Sequence, residues 1–293
     1  MGTRTLALIA ATLVSIIYGV TFTIAKDVMP EFIGPYGFIL LRVGGSVLLF
    51  WMISFIGPKE KIQLADYPRI VAAAFFGVAF NMLTFFKGLS YTSPIMGAVL
   101  MVTTPIIVLV LSSIIMRERM AKGRILGIII GLIGTAILIL YGESLINAPN
   151  ATLGNLLVFV NAVSYAFYLI VVKKLMDRYN AFTFVKWIYL FGFIMVLPFG
   201  WDELNVVQWP ELPEAVYWKM AFVVVFSTFL TYLLNLLSMR ELKPTTVAVF
   251  IYLQPLFASV FAIAVGKDQL TMIKLFSALM IFAGVYLVIR KRT

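Results

Sequence analysis

Apolar residues in this chain gather into ten runs of roughly 20 residues, the length a helix needs to cross the ~30 Å hydrocarbon layer of a bilayer. The runs cover about 5–26, 33–56, 68–87, 93–116, 122–142, 152–174, 181–200, 216–238, 244–266 and 271–290. The connections are mostly short and hold breakers, at Pro30, Gly34–Pro35, Gly57–Pro58, Ala148–Pro149–Asn150, Pro210 and Pro213. The pattern predicts an all-α integral membrane protein of ten transmembrane helices. Composition agrees: 62% of residues are hydrophobic and 12% charged, and mean hydropathy is +1.03. A soluble core could not bury that much apolar surface, so lipid must cover the remainder. The first run is long and joins the repeating pattern, which reads as a retained span and not a cleaved signal peptide.

The runs repeat. Ser93–Met116 and Lys243–Gly266 align at an offset of 150 residues, pairing Pro94 with Pro244, Ala98–Val99 with Ala248–Val249, Pro105 with Pro255 and Val110 with Val260. The same offset pairs Phe76 with Phe226 and Gly134 with Gly284. A gap-free match of this kind indicates an internal duplication, with halves at 1–146 and 147–293. Five helices per half is an odd number, so the second copy enters the membrane upside down. The fold expected is two inverted five-helix repeats about a pseudo-twofold axis in the membrane plane, an architecture that can open to either side.

Charge sets the orientation. With the N-terminus in the cytoplasm, seventeen of the 23 Lys and Arg fall at inside ends, from Arg4 to Arg292, and five at outside ends: Lys26, Lys87, Lys219, Lys267 and Lys274. The excess predicts cytoplasmic termini in a plasma-membrane protein. It also accounts for the net charge of +10 without a nucleic-acid partner. The chain has no Cys and no His, which excludes disulfides, thiol nucleophiles and imidazole chemistry. No metal site, cofactor or catalytic residue is expected. The partners expected are a small-molecule solute and the bilayer, for a chain that is a monomer or weak dimer. Gly123, Gly127 and Gly131 have the small-xxx-small spacing of close helix packing, more readily within the protomer than at a dimer seam.

Several polar and aromatic positions could line a central cavity. Span 8 places Thr228, Thr231, Tyr232 and Asn235 on one face, and the repeat sets Thr231 over Asn81 and Asn235 over Phe85. Span 6 offers Asn161, Ser164, Tyr165 and Tyr168; span 1 offers Ser15, Tyr18 and Phe22; span 9 offers Tyr252 and Gln254. Taken singly, each suits interhelical hydrogen bonding; taken together, they suit an aromatic-walled cavity for a small amphipathic solute. Pro105 and Pro255 would each free the carbonyl four residues earlier, Met101 and Ile251, serving either as gating bends or as fixed kinks. Arg42 is a charge deep in span 2, where it must face a partner or water. It could attract a substrate carboxylate or lock the helix through backbone carbonyls. Acids lie at span ends or in loops, among them Asp27, Glu31, Glu118, Glu143, Asp177, Glu241 and Asp268.

The order of certain short motifs resembles the drug/metabolite transporter superfamily, in particular its ten-helix EamA-type transporters. They are Tyr18–Gly19 followed by FTIAK, Leu41–Arg42, Pro94 to Pro105, and Arg117–Glu118–Arg119 before a glycine-spaced fifth span. In the second half they are Tyr165–Ala166, Lys173–Lys174, Pro244 to Pro255 and Lys267–Asp268. The chain is also similar to the YddG-like amino-acid exporters, although members commonly have Trp where this chain has Tyr18. The resemblance implies a cavity between the halves lined by spans 1, 3, 4, 6, 8 and 9. It also implies a structural role for Arg42, since Leu-Arg is common there whatever the solute. The expected function is alternating-access export of amino acids, aromatic ones included, or of related amphipathic compounds. The four-helix multidrug relatives carry a Glu in the first span where this chain has Tyr, Gly and Thr, which favours facilitated transport over proton antiport. Import of a sugar or nucleotide derivative is the second transporter reading. A membrane enzyme lacks its acid–base residues here, and a sensor lacks a soluble reporting domain.

Overall fold

The computed structural model describes residues 2–29, 31–58, 60–91, 100–117, 121–140, 151–264 and 271–290, and these are helical apart from turns and connections. Pro30, Pro94, Ala98, Val99, Glu118, Arg119, Glu143, the breaker at 148–150, Lys267, Asp268 and Arg292, all singled out from the sequence, lie outside the described residues.

The ten helices expected are present. They are α1 (Thr3–Lys26), α2 (Pro35–Ser54), α3 (Tyr67–Ala74, a π-turn at Phe75–Ala79, and Phe80–Tyr91), α4 (Thr104–Ile115) and α5 (Lys122–Leu140). The second half has α6 (Ala151–Met176), α7 (Ala181–Asn205), α8 (Glu214–Phe222, a π-helical stretch Val223–Leu230, and Thr231–Glu241), α9 (Pro244–Val249, a 3-10 turn Phe250–Tyr252, and Leu253–Ala264) and α10 (Met272–Ile289). Eight are long and apolar enough to cross a membrane, and α4 is a shorter apolar helix. α5 has 19 residues.

Local chemistry fixes the ends. Pro35 starts α2 at its first turn, where a missing N–H costs nothing. The Asn180 side chain accepts from Phe182 N to cap α7. α7 then runs through Pro198 to Asn205, past the expected end at 200.

Helix pairing shows the pseudo-twofold axis. α5 packs on α10 and α2 on α7, each a helix against its own repeat equivalent. The contacts of α1 with α8 and α9 are mirrored by those of α6 with α3 and α4. Contact order along α2 and α7 gives the direction. Gly37 meets Glu203, Gly44 meets Phe193 and Gly57 meets Phe182, so the two run antiparallel. On α5 and α10, Gly127 meets Val288 and Gly134 meets Ile281, again antiparallel. The halves are therefore inverted. Gly127 and Gly131 press against Gly284, whereas a Cβ on Gly123 would have open space. Leu48, Met52, Ile114, Leu279 and Phe282 point outward, where lipid would take them. Arg4 donates to the Ile289 carbonyl, placing the start of α1 and the end of α10 on one face.

Candidate functional site

At the centre, α1, α6, α8 and α9 close around a small cavity lined by Ser15, Tyr18, Tyr165, Asn235 and Gln254 among apolar neighbours such as Val14 and Phe250. Ser15 pins α1 to the turn of α9 by donating to the Phe250 carbonyl at 2.8 Å. One turn on, Gly19 lets the two backbones meet: a Cβ there would lie 2.9 Å from the Gln254 carbonyl oxygen. The Thr231 and Tyr18 hydroxyls hydrogen-bond at 3.2 Å, joining α8 to α1, while the Thr231 proton goes to the Ser227 carbonyl at 2.7 Å. The cavity measures ≈ 10 Å³, room for about one water. The cavity in this conformation is too small for anything larger.

The helices here are irregular at matching places in the two halves. The π-turn Phe75–Ala79 of α3 corresponds, at the offset of 150, to part of the π-stretch Val223–Leu230 of α8. Thr228 Oγ1 donates to the Val223 carbonyl five residues back, at 2.8 Å, in keeping with that register. Such turns recur at functional sites. Ahead of α4 the chain turns at 102–103, and in α9 it tightens at Phe250–Tyr252. The expected proline kinks are thus restarts of the helix. Pro105 occupies the first turn of α4, and Pro255 is the third residue of Leu253–Ala264. Thr103 caps the upstream turn by donating to the Leu100 carbonyl at 2.6 Å.

Of the residues proposed from sequence, Tyr18, Tyr165, Asn235 and Gln254 come together at the cavity. Asn81 and Asn161 face each other across α3 and α6. Asn161 Nδ2 donates to the Asn81 carbonyl at 2.7 Å, and Asn81 Nδ2 returns a bond to the Asn161 carbonyl at 3.3 Å. Asn161 Oδ1 is buried without a partner. Tyr168 is fully buried, 6.0 Å from the Tyr232 ring between centroids. Tyr252 is fully buried against Gly131. Thr231 is fully buried beside Tyr18. Phe85 is half-buried against Phe86, and Met101 is half-buried at the turn before α4. The Phe22 side chain lies outside the described residues.

Sequence reading missed Tyr189 of α7, packed edge-on against Tyr232 at 5.1 Å between centroids. It also missed the links at the two membrane faces. On the face where α1 starts and α10 ends, Asp66 is buried and accepts from Arg69 at 2.6 Å, Arg178 at 3.0 Å and the Tyr179 hydroxyl at 2.8 Å. Nearby, Glu60 accepts from Asn180 N at 2.8 Å and Thr183 Oγ1 at 2.7 Å, capping α7. On the opposite face Glu203 accepts from Tyr36 N at 2.7 Å and Gly37 N at 2.9 Å, capping α2. The two caps are pseudo-symmetric. Each glutamate follows one helix of the α2/α7 pair, or ends it, and holds the start of the other.

An all-helical, multi-pass membrane protein with inverted halves around a closable polar centre has the architecture of a transporter. The chain belongs to the EamA-like transporter family, whose sequence profile matches residues 5–140 and again 152–290. It is 27% identical over 284 residues to a protein of Archaeoglobus fulgidus described as an uncharacterized transporter, covering 94% of this chain and 95% of that one. It is also 27% identical to the uncharacterized transporter YyaM of Bacillus subtilis, covering 92% and 89% of the two chains. A solved crystal structure, 13% identical, superposes with a TM-score of 0.78 over 97% of both chains, a likeness of fold.

Proposed function

We propose that this transporter moves amino acids and related small amphipathic metabolites out of the cell by alternating access, with cytoplasmic termini and no proton relay inside the membrane. The two repeats, 1–146 and 147–293, are the bodies that rock against each other. One observation carries the reading: aromatic, amide and hydroxyl side chains from four helices of both halves converge on one central cavity, namely Tyr18, Tyr165, Asn235, Gln254 and Ser15. Rings offer apolar walls to a side chain, while amides and hydroxyls satisfy polar ends. The basic excess at one set of loop ends supports the orientation. The described acids lie at helix ends or in connections, which supports facilitated movement.

The test is counterflow in proteoliposomes with a panel of amino acids, with and without a pH gradient. Saturable uptake of one or more members without a gradient is expected. Uptake of none removes the solute class, and strict dependence on the gradient overturns the facilitated mechanism. Right-side-out and inverted vesicles of cells making the protein give the direction.

A further inference from the structure

Arg42 sits near the middle of α2 with only 6% of its surface exposed. Its Nε donates to Thr228 Oγ1 at 3.0 Å, and its Cζ lies 5.6 Å from the centroid of the Phe86 ring. A guanidinium has five N–H donors. Among the described residues the other four form no hydrogen bond, and no carboxylate pairs with the charge. An arginine that only locked a helix would spend those donors on backbone carbonyls. Tyr18, Tyr189 and Tyr232 stand within electrostatic reach, the Tyr189 ring edge-on to Tyr232 at 5.1 Å between centroids. The result is a cationic, phenol-ringed pocket that holds no counter-charge among the described residues.

A lone charge in such surroundings is costly, and an anion bound to it recovers much of that cost. The planar fork of a guanidinium fits a carboxylate through two parallel bonds. The pocket also adjoins the cavity. Tyr18 lines the cavity and bonds to Thr231, three residues along α8 from the Thr228 that holds Arg42. We propose that Arg42 binds the free carboxylate of the transported solute, with Tyr18 as the screen between cavity and guanidinium. This rests on the functional reading above and sharpens it: the protein accepts amino acids as carboxylates and discriminates against their amides and decarboxylated amines.

The experiment uses the full-length protein in proteoliposomes. An accepted amino acid is competed with itself, its carboxamide and its decarboxylated amine. The carboxylate should compete about 10- to 100-fold better than either analogue, the range for a charge-assisted bond. Arg42→Lys should retain the preference at reduced affinity, and Arg42→Gln should abolish it. Equal competition by acid and amide in the unmodified protein, or a full preference retained by Arg42→Gln, overturns the assignment. The unmodified protein decides the matter if Arg42→Gln does not fold. If no amino acid is carried, the solute class proposed above falls, and Arg42 is judged separately by thermal stabilisation with matched pairs of keto or hydroxy acids and their amides. Stabilisation by the acids alone upholds the site, and absence of any acid effect overturns it.

Discussion

Gly284→Ala is the most direct test of how the halves are joined. On α10, a Cβ at this position would lie 2.6 Å from the Gly127 carbonyl oxygen and 2.6 Å from the Gly131 backbone nitrogen. Both atoms are backbone of α5 and cannot rotate away. Restoring contact near 3.5 Å means moving α5 and α10 apart by roughly 0.9 Å, which forfeits a quarter to a half of the dispersion energy of each contact opened. Allowing for relaxation, the expected cost is about 1–3 kcal/mol. Gly123→Ala is the control on the same helix pair, because its Cβ would meet nothing within 4 Å. Ala is favoured over Gly by ~1 kcal/mol within a helix, so that variant should be neutral or slightly stabilised. The assay is thermal unfolding of the purified protein in detergent, followed through its five tryptophans. Equal midpoints for the two variants, or a greater loss for Gly123→Ala, would show that the α5/α10 seam is not the close contact described.

Three further outcomes follow from the geometry. The Tyr252 hydroxyl is buried without a partner, so Tyr252→Phe should leave thermal stability unchanged or raise it by up to ~1 kcal/mol. Tyr18→Phe should also cost under ~1 kcal/mol, since Thr231 keeps its bond to the Ser227 carbonyl. Unlike Tyr252→Phe, it should raise the solute concentration needed for half-maximal counterflow, and equal kinetics in both variants would count against the cavity. Glu60→Gln and Glu203→Gln should each lower stability by ~0.5–1 kcal/mol through loss of a charged helix cap. Lying on opposite membrane faces, they should add in the double variant, and a coupling well above ~0.5 kcal/mol in denaturation would refute their independence. Asp66→Asn removes the charge that holds Arg178, and cleavage at Arg178 by trypsin in membrane vesicles should accelerate severalfold. An unchanged rate would mean the carboxylate is not the anchor.

The ten helices and their duplication were legible because span length and proline spacing are local properties of the chain. What stayed hidden depends on backbone register. No residue pattern announced i+5 bonding at Phe75–Ala79 or Val223–Leu230. The 3-10 turn at Phe250–Tyr252 winds at 3.0 residues per turn in place of 3.6, and helical spacing does not carry across it. The turn leaves Gln254 at the cavity and Tyr252 against Gly131. On α6 the polar stripe divides without any break. Asn161, Ser164 and Tyr168 face α3 at Asn81, Phe76 and Gly77, while Tyr165, at the edge of the stripe, reaches the centre. The glutamate caps escaped notice because residues 167 positions apart, Tyr36 and Glu203, share no local signal.

The pairing pattern also separates what can stay fixed from what must move. Exchanging the conformations of two inverted repeats maps α5/α10 and α2/α7 onto themselves. Those pairs can keep their glycine contacts and glutamate caps throughout a cycle. In the alternating access proposed above, the seam of α1 with α8 and the seam of α6 with α3 would instead trade places, each opening while the other closes. Their chemistry is unequal. The α3/α6 seam holds two reciprocal amide bonds and a bond from Ser164 to the Phe76 carbonyl. Among the described residues the α1/α8 seam holds a hydroxyl contact, Thr231 to Tyr18, and the ion pair of Lys219 with Asp27 at the membrane face. The α1/α8 seam is also the one that screens Arg42, so a carboxylate bound as proposed would act on that contact.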